Sequence, residues 1–226
     1  TTTVSGRLQI QTGQSIIQSG SVDILTGASV LGSSGNTNLV TGSAQDSSGN
    51  VIIAAGAASV GNGGSVSLVG GTSESGNGGQ IKIEGGRGSE SVAGGSVSLA
   101  TGNGVTSGSM HILTGNSTTG SSGGLTLKTG SALGAGGTIV MGGGNSIEKR
   151  GGSVQILAGN SQTSTGGSIS VASGNSASGS SGSVNIKTGQ GYGKSTQFQL
   201  TTGDAAVGGT GSISMQTGSS LDGVAG

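Results

Sequence analysis

The chain has 226 residues, 54 of them glycine, and contains no proline, cysteine or tryptophan. Eight basic and eight acidic residues cancel, which leaves no electrostatic footprint for nucleic acid or for an anionic membrane. The lack of cysteine excludes disulfides and thiolate metal sites, and no apolar run approaches the roughly eighteen residues that span a bilayer as a helix.

The chain opens Thr1-Thr2-Thr3-Val4, with neither an initiator Met nor a signal peptide, as expected of a processed product or a segment of a longer protein. A short phrase then recurs fifteen times, each copy ending on a glycine: Gly13, Gly27, Gly42, Gly56, Gly71, Gly86, Gly102, Gly115, Gly130, Gly144, Gly159, Gly174, Gly189, Gly203 and Gly218. The fourteen intervals between residues 13 and 218 average about 14.6 residues. Self-similarity at a fixed period predicts stacked repeats.

Gly95-Ser96-Val97-Ser98-Leu99-Ala100-Thr101-Gly102 and Gly182-Ser183-Val184-Asn185-Ile186-Lys187-Thr188-Gly189 show the phrase most clearly. Its apolar residues alternate, as in Leu8/Ile10, Val22/Ile24, Val66/Leu68, Ile81/Ile83, Met110/Ile112, Leu125/Leu127, Val154/Ile156, Ile169/Val171 and Ile213/Met215. A period of two predicts a β-strand, with these pairs facing a core and Ser, Gln, Asn or Lys facing solvent. The seventh position holds Thr, Ala, Ser or Gly from Thr12 to Thr217, as suits a tightening corner. The invariant closing glycine predicts a left-handed or bulged turn. Loops of five to eight residues follow, such as 175–181, and Asn opens them at 103, 116, 145, 160 and 175. Asn tolerates left-handed backbone, and stacked copies would form an amide ladder. No segment has a helical period.

The expected fold class is all-β, a parallel β-solenoid (β-helix) of about fifteen strand-turn repeats of 14–15 residues. One repeat per coil would pair the apolar face with a thin Ser/Ala/Gly arc. Two repeats per coil, about 29 residues, would set two apolar faces about 10 Å apart and bury more surface, so two strands per coil is preferred. Apolar loop residues Ile16, Val105, Leu133, Ile147 and Leu221 argue instead for a third inward side.

A longer period of 88 residues spans six repeats: Gly20-Ser21-Val22-Asp23-Ile24-Leu25-Thr26-Gly27 matches Gly108-Ser109-Met110-His111-Ile112-Leu113-Thr114-Gly115. The seventh position reads Thr, Thr, Thr, Ala, Gly, Gly, then Thr, Thr, Thr, Gly, Ala, Ser, then Thr, Thr, Thr. Residues 1–226 therefore read as one continuous array, with modules at about 14–102, 103–189 and a partial 190–226. The repeat Gly211–Gly218 is as regular as any other, so an uncapped end is expected to stack on a neighbour or on more of the array.

Little of the chain suggests chemistry. Gly63-Gly64-Ser65-Val66-Ser67-Leu68 lacks the aspartate of calcium-binding glycine-rich repeats, and Asp23, Asp46, Asp204 and Asp222 do not recur with the period. His111 is the one histidine, placed on the polar face, and Lys149-Arg150 reads as solvated loop. Asn116-Ser117-Thr118 is the single N-glycosylation sequon. Gly189-Gln190-Gly191-Tyr192-Gly193-Lys194-Ser195-Thr196 is one residue short of a phosphate-binding loop and runs into another repeat where a helix should start. No catalytic residue, metal site or cofactor is expected.

The Gly-x-Val-x-Leu-x-Thr-Gly phrase resembles the glycine- and serine-rich extracellular β-solenoid repeats of algal and protist surface-fibre arrays. It is more distantly similar to filamentous haemagglutinin-type adhesins. The resemblance implies an extracellular, non-enzymatic structural protein that self-associates end to end into a filament or surface fibre carrying glycans. The alternative is an adhesin, or an ice- or carbohydrate-binding solenoid.

Overall fold

The computed structural model describes residues 4–219 and 223, so Leu221 and Asp222 lie outside the described residues. The chain divides into two units, Thr1–Ile112 and Leu113–Gly226. Both are built from the same element, an extended segment followed by a corner.

The corners follow the sequence period. After each of the first fourteen closing glycines the backbone bends, as at residues 30–32, 74–76, 118–120, 162–164 and 206–208. Between corners, side chains two apart meet on the polar side of the chain. Lys82 Nζ lies 2.9 Å from Glu84 Oε2, Gln197 donates to Gln199 at 2.8 Å, and Gln9 donates to Gln11. Contacts at that spacing require extended backbone.

The extended segments do not pair. Among the described residues there is no β-strand and no helix. The all-β solenoid expected from the sequence is therefore overturned, and with it the coil of two strands and the inward apolar face. Backbone hydrogen bonds join residues eight or nine apart across corners, apart from a turn in which Val92 N–H donates to the Ser89 carbonyl at 3.2 Å. Nothing continues these bonds into a ladder.

Nor is there a core: no described residue is buried. Least exposed are Thr12, Thr41, Gly70, Gly88, Thr129 and Ala158, and among the large apolar residues Ile139 remains 44% exposed and Val66 53%. The loop residues Ile16, Val105, Leu133 and Ile147 are fully exposed, so no third side faces inward. The accessible surface is 22931 Å². A compact monomer of 20.9 kDa would expose about 9,000 Å² and a fully extended one about 30,000 Å². Two modest apolar side chains per repeat do not offset the entropy of ordering so many glycines. Alternation thus produces extended backbone without the partner that would turn it into a sheet.

A chain with no core has little apolar surface left to expose on heating. Calorimetry of the dilute monomer is expected to show no cooperative heat-absorption peak. An unfolding enthalpy near the globular value of about 0.7 kcal/mol per residue would contradict this architecture.

Candidate functional site

What repeats is the corner, and its geometry follows from side-chain size. The seventh residue of each repeat and the glycine that opens the next repeat stand across the corner from each other. At six of the corners that follow a threonine, after Thr12, Thr26, Thr41, Thr101, Thr129 and Thr202, its side chain fills the gap. A Cβ built on Gly20 would lie 3.5 Å from Thr12 Cγ2, one on Gly49 3.6 Å from Thr41 Cγ2, and one on Gly211 3.6 Å from Thr202 Cγ2. At Thr129 the hydroxyl also donates to the Gly137 carbonyl at 3.3 Å.

Where the seventh residue is Ala, Ser or Gly, the two backbones close on each other. The opening glycine then donates its N–H to the closing-glycine carbonyl: Gly64 to Gly56 at 2.9 Å, Gly79 to Gly71 at 2.8 Å and Gly95 to Gly86 at 2.8 Å in the first unit. In the second unit Gly152 donates to Gly144 at 2.8 Å, Gly167 to Gly159 at 2.9 Å and Gly182 to Gly174 at 2.9 Å. These six corners follow the six seventh positions without threonine, Ala55, Gly70, Gly85, Gly143, Ala158 and Ser173. The 88-residue period is therefore a structural alternation among the described residues: three corners that follow threonine and lack this bond, then three that carry it.

Contact is tightest where both residues are glycine. A Cβ on Gly70 would meet the Gly79 carbonyl oxygen at 2.4 Å, one on Gly85 that of Gly95 at 2.2 Å, and one on Gly143 that of Gly152 at 2.3 Å. No side chain fits there.

Most of the loops are held in one of three ways, according to the second residue. Serine at that place accepts the N–H three residues on: Ser29 from Gly32 (3.1 Å), Ser73 from Gly76 (2.9 Å), Ser117 from Gly120 (3.0 Å), Ser146 from Lys149 (2.9 Å), Ser161 from Ser164 (2.9 Å) and Ser176 from Gly179 (2.9 Å). Ser15 does the same with Gln18 at 3.4 Å. Such serine turns substitute a side-chain acceptor for a backbone one. Glycine at that place allows a closer reversal, since a Cβ on Gly88 or Gly191 would come within 2.4 Å of a carbonyl oxygen. Of the four alanines there, Ala58 and Ala205 are followed three residues later by a glycine with positive φ, Gly61 at 95° and Gly208 at 94°, whereas Ala44 and Ala132 are followed by Ser47 and Ala135 without it.

These are the only positive φ values among the described residues. The closing glycines are therefore not left-handed, contrary to the expectation from their invariance, and neither is any Asn. A Cβ added to any of the fifteen closing glycines would meet nothing within 4 Å. The crowded positions are the seventh-position glycines Gly70, Gly85 and Gly143, the loop glycines Gly88 and Gly191 and, less tightly, the opening glycines of the doublets Gly63-Gly64, Gly78-Gly79, Gly94-Gly95, Gly151-Gly152 and Gly166-Gly167.

The remaining candidate residues are dispersed. His111 is exposed beside Met110 and Ile112. Among the described residues no three His, Asp or Glu side chains converge. Segment 189–196 bends at Tyr192 and Gly193, Tyr192 is fully exposed, and no helix follows. Asn116 is exposed at the start of a serine-turn corner. An open concavity formed by Gln14, Ser15 and Ile16 contains no ionisable group. No described helix is long and apolar enough to cross a membrane. The chain matches no protein-family model, no curated protein sequence and no solved structure.

The six hydrogen-bonded corners are expected to show slower amide exchange at their opening glycines than the threonine-filled corners show at Gly20, Gly35 and Gly49. Replacing Gly70, Gly85 or Gly143 with Thr should break the bond across that corner, because no corner that follows threonine forms it among the described residues. A solvent-exposed bond worth about 1 kcal/mol predicts roughly fivefold faster exchange at the opening amide, measured by NMR.

Proposed function

We propose that this chain is a non-enzymatic structural protein that self-associates into a filament or fibre outside the cell. One observation carries the reading: every large apolar side chain among the described residues is exposed, and the surface is about two and a half times that of a compact monomer. Apolar area of that extent marks an association surface. The partner is a second copy of the same chain. Its apolar residues recur at the spacing of the first, and zero net charge imposes no overall repulsion between copies.

The closing glycines support the same partner. Fifteen positions kept free of a side chain, with open space where a Cβ would stand, have no steric role within their own chain. Absence of a side chain there permits close approach of a neighbouring backbone. The threonine methyls, in contrast, rest against opening glycines of their own chain at six corners, which takes them away from a flat row for ice or carbohydrate.

Sedimentation velocity over a range of concentrations, with electron microscopy of the pelleted material, tests the proposal. Growth into filaments with rising concentration is expected, and dispersed monomers at millimolar concentration would refute it. Replacing Val97 and Leu99 with Asp should raise the concentration needed for assembly about tenfold or more, the equivalent of one lost apolar burial.

A second comparison isolates the glycines. Changing Gly102 and Gly115 to Ala should leave the exchange rates of the neighbouring amides unchanged, since the added Cβ touches nothing in the chain. Assembly should nevertheless require a higher protein concentration. Unchanged assembly would remove the closing glycines from the contact.

A further inference from the structure

We infer that Asn116 is an N-linked glycosylation site, an inference that rests on the extracellular route proposed above. Four corners share one design, in which Asn follows the closing glycine and serine holds the turn: 115–120, 144–149, 159–164 and 174–179. In all four the serine hydroxyl is occupied as acceptor for an N–H three residues ahead. The third loop residue is Thr118 in the first of them, and Ile147, Gln162 and Ala177 in the others. Only Asn116 therefore has a hydroxyl two residues on.

That hydroxyl is free, because Ser117 and not Thr118 makes the turn. The Asn116 amide is likewise exposed and forms no hydrogen bond among the described residues. On its N-terminal side Gly115 adds no bulk, with open space at its Cβ position. The bend begins at residue 118, so the acceptor lies on the approach to a corner that serine has already shaped.

The donor class is a sugar chain whose anomeric carbon carries a diphosphate leaving group. Asn116 Nδ2 forms the new C–N bond as the C–O bond to diphosphate breaks. The diphosphate departs with the bonding pair, and the amide proton passes to a base of the transferring enzyme.

The full chain, exported behind a cleavable signal into membranes that modify a reference sequon, tests the site whatever compartment the native protein occupies. One discrete mass increment is expected, removed by an amidase that cleaves N-linked glycans and absent from Asn116→Gln. Gln162→Thr should add a second increment at Asn160, because Ser161 holds the same turn there. An unmodified wild-type chain beside a modified reference would overturn the inference, as would modification of the Gln162→Thr chain confined to Asn160. Absence of the second increment would overturn the role given to the corner. Fractionation of native protein with the cell interior would instead refute the extracellular reading, and the export assay would be unaffected.

Discussion

Everything local in this chain depends on how closely two backbone segments approach across a corner. Threonine at the seventh position keeps them apart through its methyl group. Alanine, serine or glycine lets a glycine N–H reach a glycine carbonyl at 2.8–2.9 Å. A difference of one to three side-chain heavy atoms thus selects between two corner types. Because those choices come in threes, the difference is propagated as a period of 88 residues. The corner after Gly86 is one residue longer than its counterpart after Gly174, and the turn from Ser89 to Val92 absorbs the extra residue so that Gly95 still closes onto Gly86.

Local closure is not global folding. Each corner bond is isolated, exposed and worth about 1 kcal/mol, whereas fixing a residue's backbone costs about 1–2 kcal/mol. Corners can therefore recur faithfully while the segments between them remain unpaired. The apolar residues lie on those segments, and nothing in the chain covers them. A protein with this distribution has its largest favourable interaction still to make, with another molecule. The proposed self-association rests on that imbalance more than on any one residue.

The sequence made the period, the corner positions and the extended segments legible. The alternation of Ile81, Lys82, Ile83 and Glu84 does give extended backbone, as the ion pair from Lys82 to Glu84 records. What alternation could not reveal was whether a neighbour would cover Ile81 and Ile83, because period two specifies a face and not its partner. Reading that face as inward led to the solenoid. Invariance misled in a second way. Gly102 and its fourteen equivalents drew attention as turn glycines, but the steric demand falls on Gly70, Gly85 and Gly143 and on the glycines across the corner from them. The serine at the second loop place was legible from its chemistry alone, since all seven described corners that carry it use it in the same turn.

The closing glycines then require a cause outside the chain. Glycine loses more entropy on ordering than alanine, so fifteen glycines without steric purpose would be a cost with no return within the monomer. The six that accept a corner hydrogen bond use their carbonyl, which any residue would supply. What glycine alone supplies is the missing Cβ, and around every one of the fifteen that space is vacant. Vacancy repeated at about 14.6-residue intervals, beside apolar pairs repeated at the same interval, fits the proposed contact, whose other face would have the same spacing. A second copy of this chain has that spacing, and a globular partner of unrelated sequence does not.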